Sequence, residues 1–219
     1  FWAEGFADLP LPADDFVLFD EFRRDPQLHR LGTPSGRIEI ASETIAKFGY
    51  ADCPSHPAWL APTEWLGSAS AAHWPLHLVT HQPGDRLHSQ MDPASVSRGH
   101  KVHGREQIRI HPEDARQRNI KTGDVVRVFN DRGACLAAAH VDPTLSPHVV
   151  MMATGAWYDP ASAPGDPERH GNPNVLTLDI GTSRLTQGPS ALSALVDIER
   201  WNAPLPPITA WTPPTLCTD

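Results

Sequence analysis

Between residues 76 and 154 the chain breaks into runs of four to eight residues that alternate apolar and polar side chains, each closed off by turn-forming residues. A period of two places successive side chains on opposite faces of a strand. Runs this short, repeated about every ten residues, fit a sheet that curls on itself rather than a helical bundle. Strands are expected at 76–81, 107–110, 124–130, 134–141 and 148–154, with a last one at 194–198, while 176–180 reads as a strand or a buried turn. One short helix is expected at 111–118, where Pro112 sits in the first turn and acidic residues precede basic ones, as the helix dipole favours. The expected class is mainly β with short helices, a barrel or a sandwich.

The flanks have a different texture. Residues 1–32 are acidic and aromatic without a sustained period, a turn at 33–36 leads into an expected strand at 37–40, and Ser42 is placed to cap a helix over 42–48 that Gly49 ends. Residues 50–75 hold four prolines and three tryptophans and read as an irregular connector. The last 19 residues hold five prolines and are expected to drape over the surface. The organisation expected is therefore a connector and the end of a preceding domain at 1–73, a barrel at 74–201 and a Pro-rich tail at 202–219. No signal peptide pattern and no initiating Met are present, which fits a piece of something larger.

Charge narrows the partners. The net charge is −8, from 18 basic and 26 acidic residues, so a nucleic-acid partner is not expected. No run approaches the ~18 apolar residues of a membrane-spanning helix. The acidity is uneven, however: residues 76–135 carry ten basic residues against seven acidic, and seven of the 12 histidines fall between 73 and 111. The basic stretch suits an anionic or heteroaromatic ligand. Cys53, Cys135 and Cys217 form no C-x-x-C pair and read as free thiols.

Three segments offer chemistry. His73, His77 and His81 are four residues apart, which on a helix would align zinc ligands, but 76–81 reads as strand and no carboxylate or thiolate completes the set, so no metal ligand is expected. Arg86-Leu87-His88-Ser89-Gln90 follows a strand and a Pro-Gly turn and gathers a guanidinium, an imidazole, a hydroxyl and a carboxamide. Such groups suit phosphate and ring-edge recognition, although a solvated loop has the same composition. Residues 170–190 are rich in Gly, Asn, Ser and Thr and read as a close backbone approach to a ligand or a compact surface loop. There is no Walker loop, no G-x-G-x-x-G and no G-x-S-x-G elbow.

Taken in order, RLHSQMD after HLVTHQP, then HGREQIRIHPEDARQRNIKTGDVVRVFNDRGACLAAA, GAWYDP, and HGNPNVLTLDIGTSRLTQG closing on ALVDIERW resemble the C-terminal part of the molybdopterin enzymes of the dimethyl sulfoxide reductase family. The nearest branch is that of the biotin sulfoxide, trimethylamine N-oxide and dimethyl sulfoxide reductases. The likeness covers residues 74–201, and 33–46 with 53–67 resemble the segment that joins a preceding domain to this one.

This resemblance implies a double-psi β-barrel that helps to hold the bis(molybdopterin guanine dinucleotide) of a molybdenum centre. It implies that Thr80, His81, Gln82 and Pro83, with Arg86, His88, Ser89 and Gln90, contact pterin and pyrophosphate. Asn172 or Asn174, with Gln187 and Gly188, are implied to contact the other dinucleotide. The metal-binding serine and the oxygen-transfer residues of the family lie upstream, so no catalytic residue or metal ligand is assigned in this chain. The implied partners are the upstream domains of the same polypeptide, a small S-oxide or N-oxide substrate and an electron donor. Two other readings compete: a free-standing double-psi barrel that binds another nucleotide or a protein, because fold is not function, and a zinc hydrolase built on the histidines.

Overall fold

A computed structural model describes the chain except for residues 13–14, 161–162, 164, 189–192 and 214–219. It divides into two compact units, Phe1–Trp59 and Leu60–Asp219.

The first unit holds two short helices, α1 (Asp20–Arg24) and α2 (Glu43–Ala46). The hydroxyl of Ser42 accepts from the Ile45 amide at 3.3 Å, so the expected cap forms, and the helix is shorter than the 42–48 read from the sequence. The turn at 33–36 also forms: the Gly36 amide donates to the Thr33 carbonyl at 2.9 Å with Gly36 in the left-handed region. The strand expected at 37–40 does not form. Ile38 and Ile40 are exposed, and the polar groups around them close locally, Thr33 Oγ1 on the Arg37 carbonyl and the Ser35 amide on Glu39 Oε1. An alternating run with no neighbouring strand to pair with stays irregular.

In the second unit the alternation becomes a closed barrel. Its strands are β1 (Leu76–His81), β2 (Gln107–Ile110), β3 (Val125–Phe129), β4 (Ala134–Val141), β5 (Val149–Ala153) and β6 (Ser193–Arg200), ordered β1-β5-β2-β4-β3-β6 around the ring. β1 pairs with β5 and β2 with β4 in parallel, and the remaining pairs are antiparallel. All six strands expected from the alternation are present, and closure is the architecture that the family resemblance implied. Residues 176–180 are not a strand: Leu176 ends a 3-10 turn over Pro173–Leu176 and is fully buried. Helix α3 (Ser95–Gly99) was not expected, and α4 (Pro112–Gln117) was. The His111 ring caps α4, its Nδ1 accepting from the Glu113 amide.

The inward side chains of the ring, among them Leu76, Leu78, Ile108, Ile110, Val126, Val128, Val150, Met152, Val196 and Ile198, form one core. β4 departs from alternation because Cys135–Ala139 are buried on both faces. Its first residues are also bridged in parallel by the segment at 168, where the Leu136 amide donates to the Glu168 carbonyl and the Glu168 amide to the Ala134 carbonyl. Among the described residues no helix is long and apolar enough to cross a membrane.

Candidate functional site

β1 ends at His81, and the chain turns outward into the polar loop 82–91. That loop is fixed to the segment leaving β5. The Thr154 amide donates to the His81 carbonyl at 2.8 Å, and the Thr154 hydroxyl donates to Gln82 Oε1 at 3.2 Å. Gly155 then passes directly beneath His88: a Cβ on Gly155 would lie 1.8 Å from the His88 carbonyl oxygen, and Gly155 has φ +90. Only glycine meets both demands. Trp157 Nε1 donates to the Ser89 carbonyl at 2.8 Å. His88 and Met91 both sit in the left-handed region, an unfavourable backbone for non-glycine residues that persists where surroundings impose it.

On the pinned loop the side chains of Gln82, His88, Ser89 and Gln90 are exposed. Gln82 Nε2 meets His88 Nδ1 at 2.6 Å, and among the described residues His88 Nε2 has no hydrogen bond. Ser89 and Gln90 bond only through their backbone among the described residues. Thr80 is buried in β1, and Pro83 is half-buried. His81 and Pro83 line an open cleft of about 780 Å³ with Gly84, Arg86, Arg109 and His140. Burial, and then the positive charge of Arg109, hold the His81 imidazole below its usual range.

Arg86 has a different environment from its loop neighbours. Its side chain is 1% exposed. Its guanidinium donates to Glu106 Oε2 at 2.7 Å, the Thr154 carbonyl at 2.8 Å and Ser97 Oγ at 3.1 Å. Its Nε finds no hydrogen-bond partner and points towards Asp92 Oδ1, 3.7 Å away. Lys101 joins the same cluster, with Nζ 2.9 Å from both Asp92 Oδ1 and Glu106 Oε2. Burial pushes the Asp92 carboxyl up, but hydrogen bonds from Lys101, the Trp211 indole and the Trp157 amide outweigh it and leave the group low. Buried ions persist only when paired and bonded in this way. Arg86, which the resemblance implies at pterin and pyrophosphate, thus has its guanidinium in a buried network under the loop and also lines the cleft at His81 and Pro83.

Glu168 organises the second segment. Its Oε1 accepts from the amides of Asp159 and His170, and its Oε2 from those of Gly171 and Asn172, at 2.7–3.1 Å. Burial pushes this carboxyl above its usual range against the pull of those four amides. Asn172 is buried and engaged at both ends, Nδ2 on the Ala156 carbonyl and Oδ1 on the Asn174 amide. Asn174 is exposed. The structure therefore joins the first expected set, 80–90, to Asn172 through the backbone of 154–157. Gln187 and Gly188 stand apart, bonded within their own loop to Ser183 and Thr182. Sequence reasoning missed Asp92, Lys101, Glu106, Trp157 and Glu168. Apart from Glu168, whose carboxylate partners lie 2 to 9 residues away, their partners lie 5 to 119 residues away, and no local pattern marks them.

A closed barrel that carries a rim of fixed amide, imidazole and hydroxyl groups over a buried ionic scaffold is a ligand-binding domain. Residues 76–195 match the family model described as "Molydopterin dinucleotide binding domain", and the chain belongs to that family. It is 51% identical over 199 residues to a biotin sulfoxide reductase of Cereibacter sphaeroides, covering 91% of this chain and 26% of that protein. It is 43% identical over 217 residues to a dimethyl sulfoxide/trimethylamine N-oxide reductase of Rhodobacter capsulatus, covering 98% and 26%. A trimethylamine-N-oxide reductase of Salmonella typhimurium is 47% identical, with 91% and 24% covered. The chain thus spans about a quarter of the length of these curated relatives. Acetylene hydratase from Pelobacter acetylenicus shares the fold with a TM-score of 0.64 at 18% identity, over 81% of this chain and 25% of that one.

Proposed function

We propose that this chain is the C-terminal, cofactor-binding part of a molybdenum reductase acting on a small S-oxide or N-oxide, and that it helps to hold bis(molybdopterin guanine dinucleotide). The observation that carries the reading is the pinned loop 82–90, where amide, imidazole and hydroxyl groups face outward while their backbone is fixed from below. The donor set fits the group: a pyrophosphate needs several convergent donors, and pterin and guanine edges need both donors and acceptors.

Gln82, His88, Ser89 and Gln90 would meet pterin and pyrophosphate, with Thr80, His81 and Pro83 shaping the β1 end of the site. Arg86 acts beneath them, fixing the loop through Glu106 and the Thr154 carbonyl. Its charge is compensated within the cluster by Asp85, Asp92 and Glu106, so its contribution is positional. On the second segment Asn174 offers its free amide, and Asn172 holds the turn that presents it. Gln187 and Gly188 would contribute from their own loop. When bound, the cofactor supplies the two-electron oxygen-atom chemistry, and an upstream domain supplies the metal ligand. The remaining partners are the oxide and an electron donor.

The test is chemical. The full polypeptide carrying this chain is purified, and guanine nucleotide released by acid is quantified against molybdenum. Guanine nucleotide in the ratio of a bis-dinucleotide centre is expected, and molybdenum without it contradicts the reading.

A further inference from the structure

The Pro-rich tail is not a loose drape. Along residues 204–211 it is seated on the buried network at successive points. Arg105 donates to the Pro206 carbonyl at 2.6 Å. Ile208 packs on Gly104, where a Cβ would lie 3.2 Å from its Cγ1. The Thr209 amide and hydroxyl donate to the two oxygens of Asp159 at 2.7 and 2.5 Å. The Trp211 indole donates to Asp92 Oδ2 at 3.1 Å, and its ring stands edge-on to His170 with centroids 4.7 Å apart. The Arg98 guanidinium lies 4.7 Å from the Trp211 ring centroid and the Lys101 ammonium 5.9 Å from it.

Two of these anchors lead straight to the ligand-facing backbone. Asp92, which takes the indole, also accepts from the Trp157 amide, and Trp157 in turn holds the Ser89 carbonyl. Asp159, which takes Thr209, donates its amide to Glu168, and Glu168 holds Gly171 and Asn172. His170, under the Trp211 ring, engages the Trp157 carbonyl through Nδ1. Prolines fix φ in the tail, so ordering it costs less entropy than for an ordinary segment.

We propose that residues 204–211 form a strap, with Trp211 as its positioning residue, that holds the 86–92 loop and the backbone at 155–160 and 168–172 in the arrangement that receives the dinucleotide. The ligand in this statement rests on the function proposed above, and the ordering of the two segments does not. Removing the indole takes a donor from the desolvated Asp92 carboxylate and opens the cluster to water at the point where both segments meet.

The experiment compares Trp211→Phe, Trp211→Ala and truncation after Leu205 in the full polypeptide, by hydrogen–deuterium exchange and by acid-released guanine nucleotide. Trp211→Phe keeps a ring over His170 and Arg98 and loses only the N–H. In Trp211→Ala, exchange at 86–92 and 155–160 is expected to rise about tenfold, as losing a hydrogen bond to a charged group and the ring contact implies, with unchanged exchange in β3 and β4. Trp211→Phe falls between this and the parent, and nucleotide content drops in the same order. Unaltered exchange at the two segments in both Trp211→Ala and the truncation overturns the strap, as does equal acceleration in the barrel strands. A parent that releases no guanine nucleotide refutes the dinucleotide reading instead, and the exchange result still decides the strap.

Discussion

Arg86 and His88 are two residues apart on one loop and have opposite surroundings, one buried and one exposed. The Arg86 donors face inward, bonded to Glu106, Ser97 and the Thr154 carbonyl, while His88 Nε2 has no hydrogen bond among the described residues. The inner layer of charge spends its donors within the fold, Arg86 Nε excepted, and the proposed role of the outer layer is to offer its own to the ligand. A positively charged residue beside a polar loop is thus no guide to what touches a ligand. The carboxylates around it decide, and here Asp85, Asp92 and Glu106 converge on one guanidinium.

The sharpest way to break this distinction is to remove an inner charge. Lys101→Met removes one of the two cations that Asp92 and Glu106 share and leaves them to Arg86 alone, and loss of one partner from a buried ionic group costs about 3–5 kcal/mol. Denaturant unfolding should show a loss of that size, and an unchanged midpoint would mean that the cluster is ordinary solvated surface. A core control, Leu78→Ala, should cost about 2–5 kcal/mol by the same assay, because a fully buried side chain leaves a cavity.

Gly155→Ala probes the joint between the layers. The added methyl meets the His88 carbonyl in a backbone conformation unsuited to alanine, so the 86–90 loop must move. Dinucleotide content should fall severalfold while the far-ultraviolet circular dichroism of the barrel is retained. Full content would show that the loop position is not needed.

The smallest effect is in acid. Burial, and then the charge of Lys101, hold the His170 imidazole below its usual range, so the folded protein prefers it neutral. The unfolded chain binds that proton first. The stability it contributes is therefore complete above about pH 6.5 and is lost as pH falls from there towards the lowered folded value. His77 and His81 are also held low, primarily by burial, and act in the same window. His170→Gln should flatten part of the fall in Tm between pH 6.5 and 5, and an identical slope would show that His170 does not contribute to it.

The sequence made the barrel legible and left the inner layer hidden, for one physical reason. Alternation in Leu76–His81 or Ala134–Val141 is written within a few residues, because a strand's inward face recurs every second position. The partnership of Asp92 with Trp211 spans 119 residues, and Arg86 with Glu106 spans 20, so neither leaves a local signature. The run at 37–40 alternates as well as any barrel strand, yet it lacks a neighbour and forms none. Asn172 and Asn174 are indistinguishable by spacing, and only burial separates the one that caps a turn from the one that faces outward. The tail was legible as Pro-rich but not as anchored, since its partners at Arg105, Asp159 and Asp92 lie far back in the chain.

The central claim is that the outer layer binds and the inner layer positions. Its most direct test is the acid-released guanine nucleotide content of the Ser89→Ala/Gln90→Ala double variant of the full polypeptide, which removes exposed side chains that bond nothing among the described residues. A marked loss of dinucleotide is expected, with an unfolding midpoint equal to the parent's when both proteins are stripped of cofactor. Dinucleotide content equal to the parent's would contradict it.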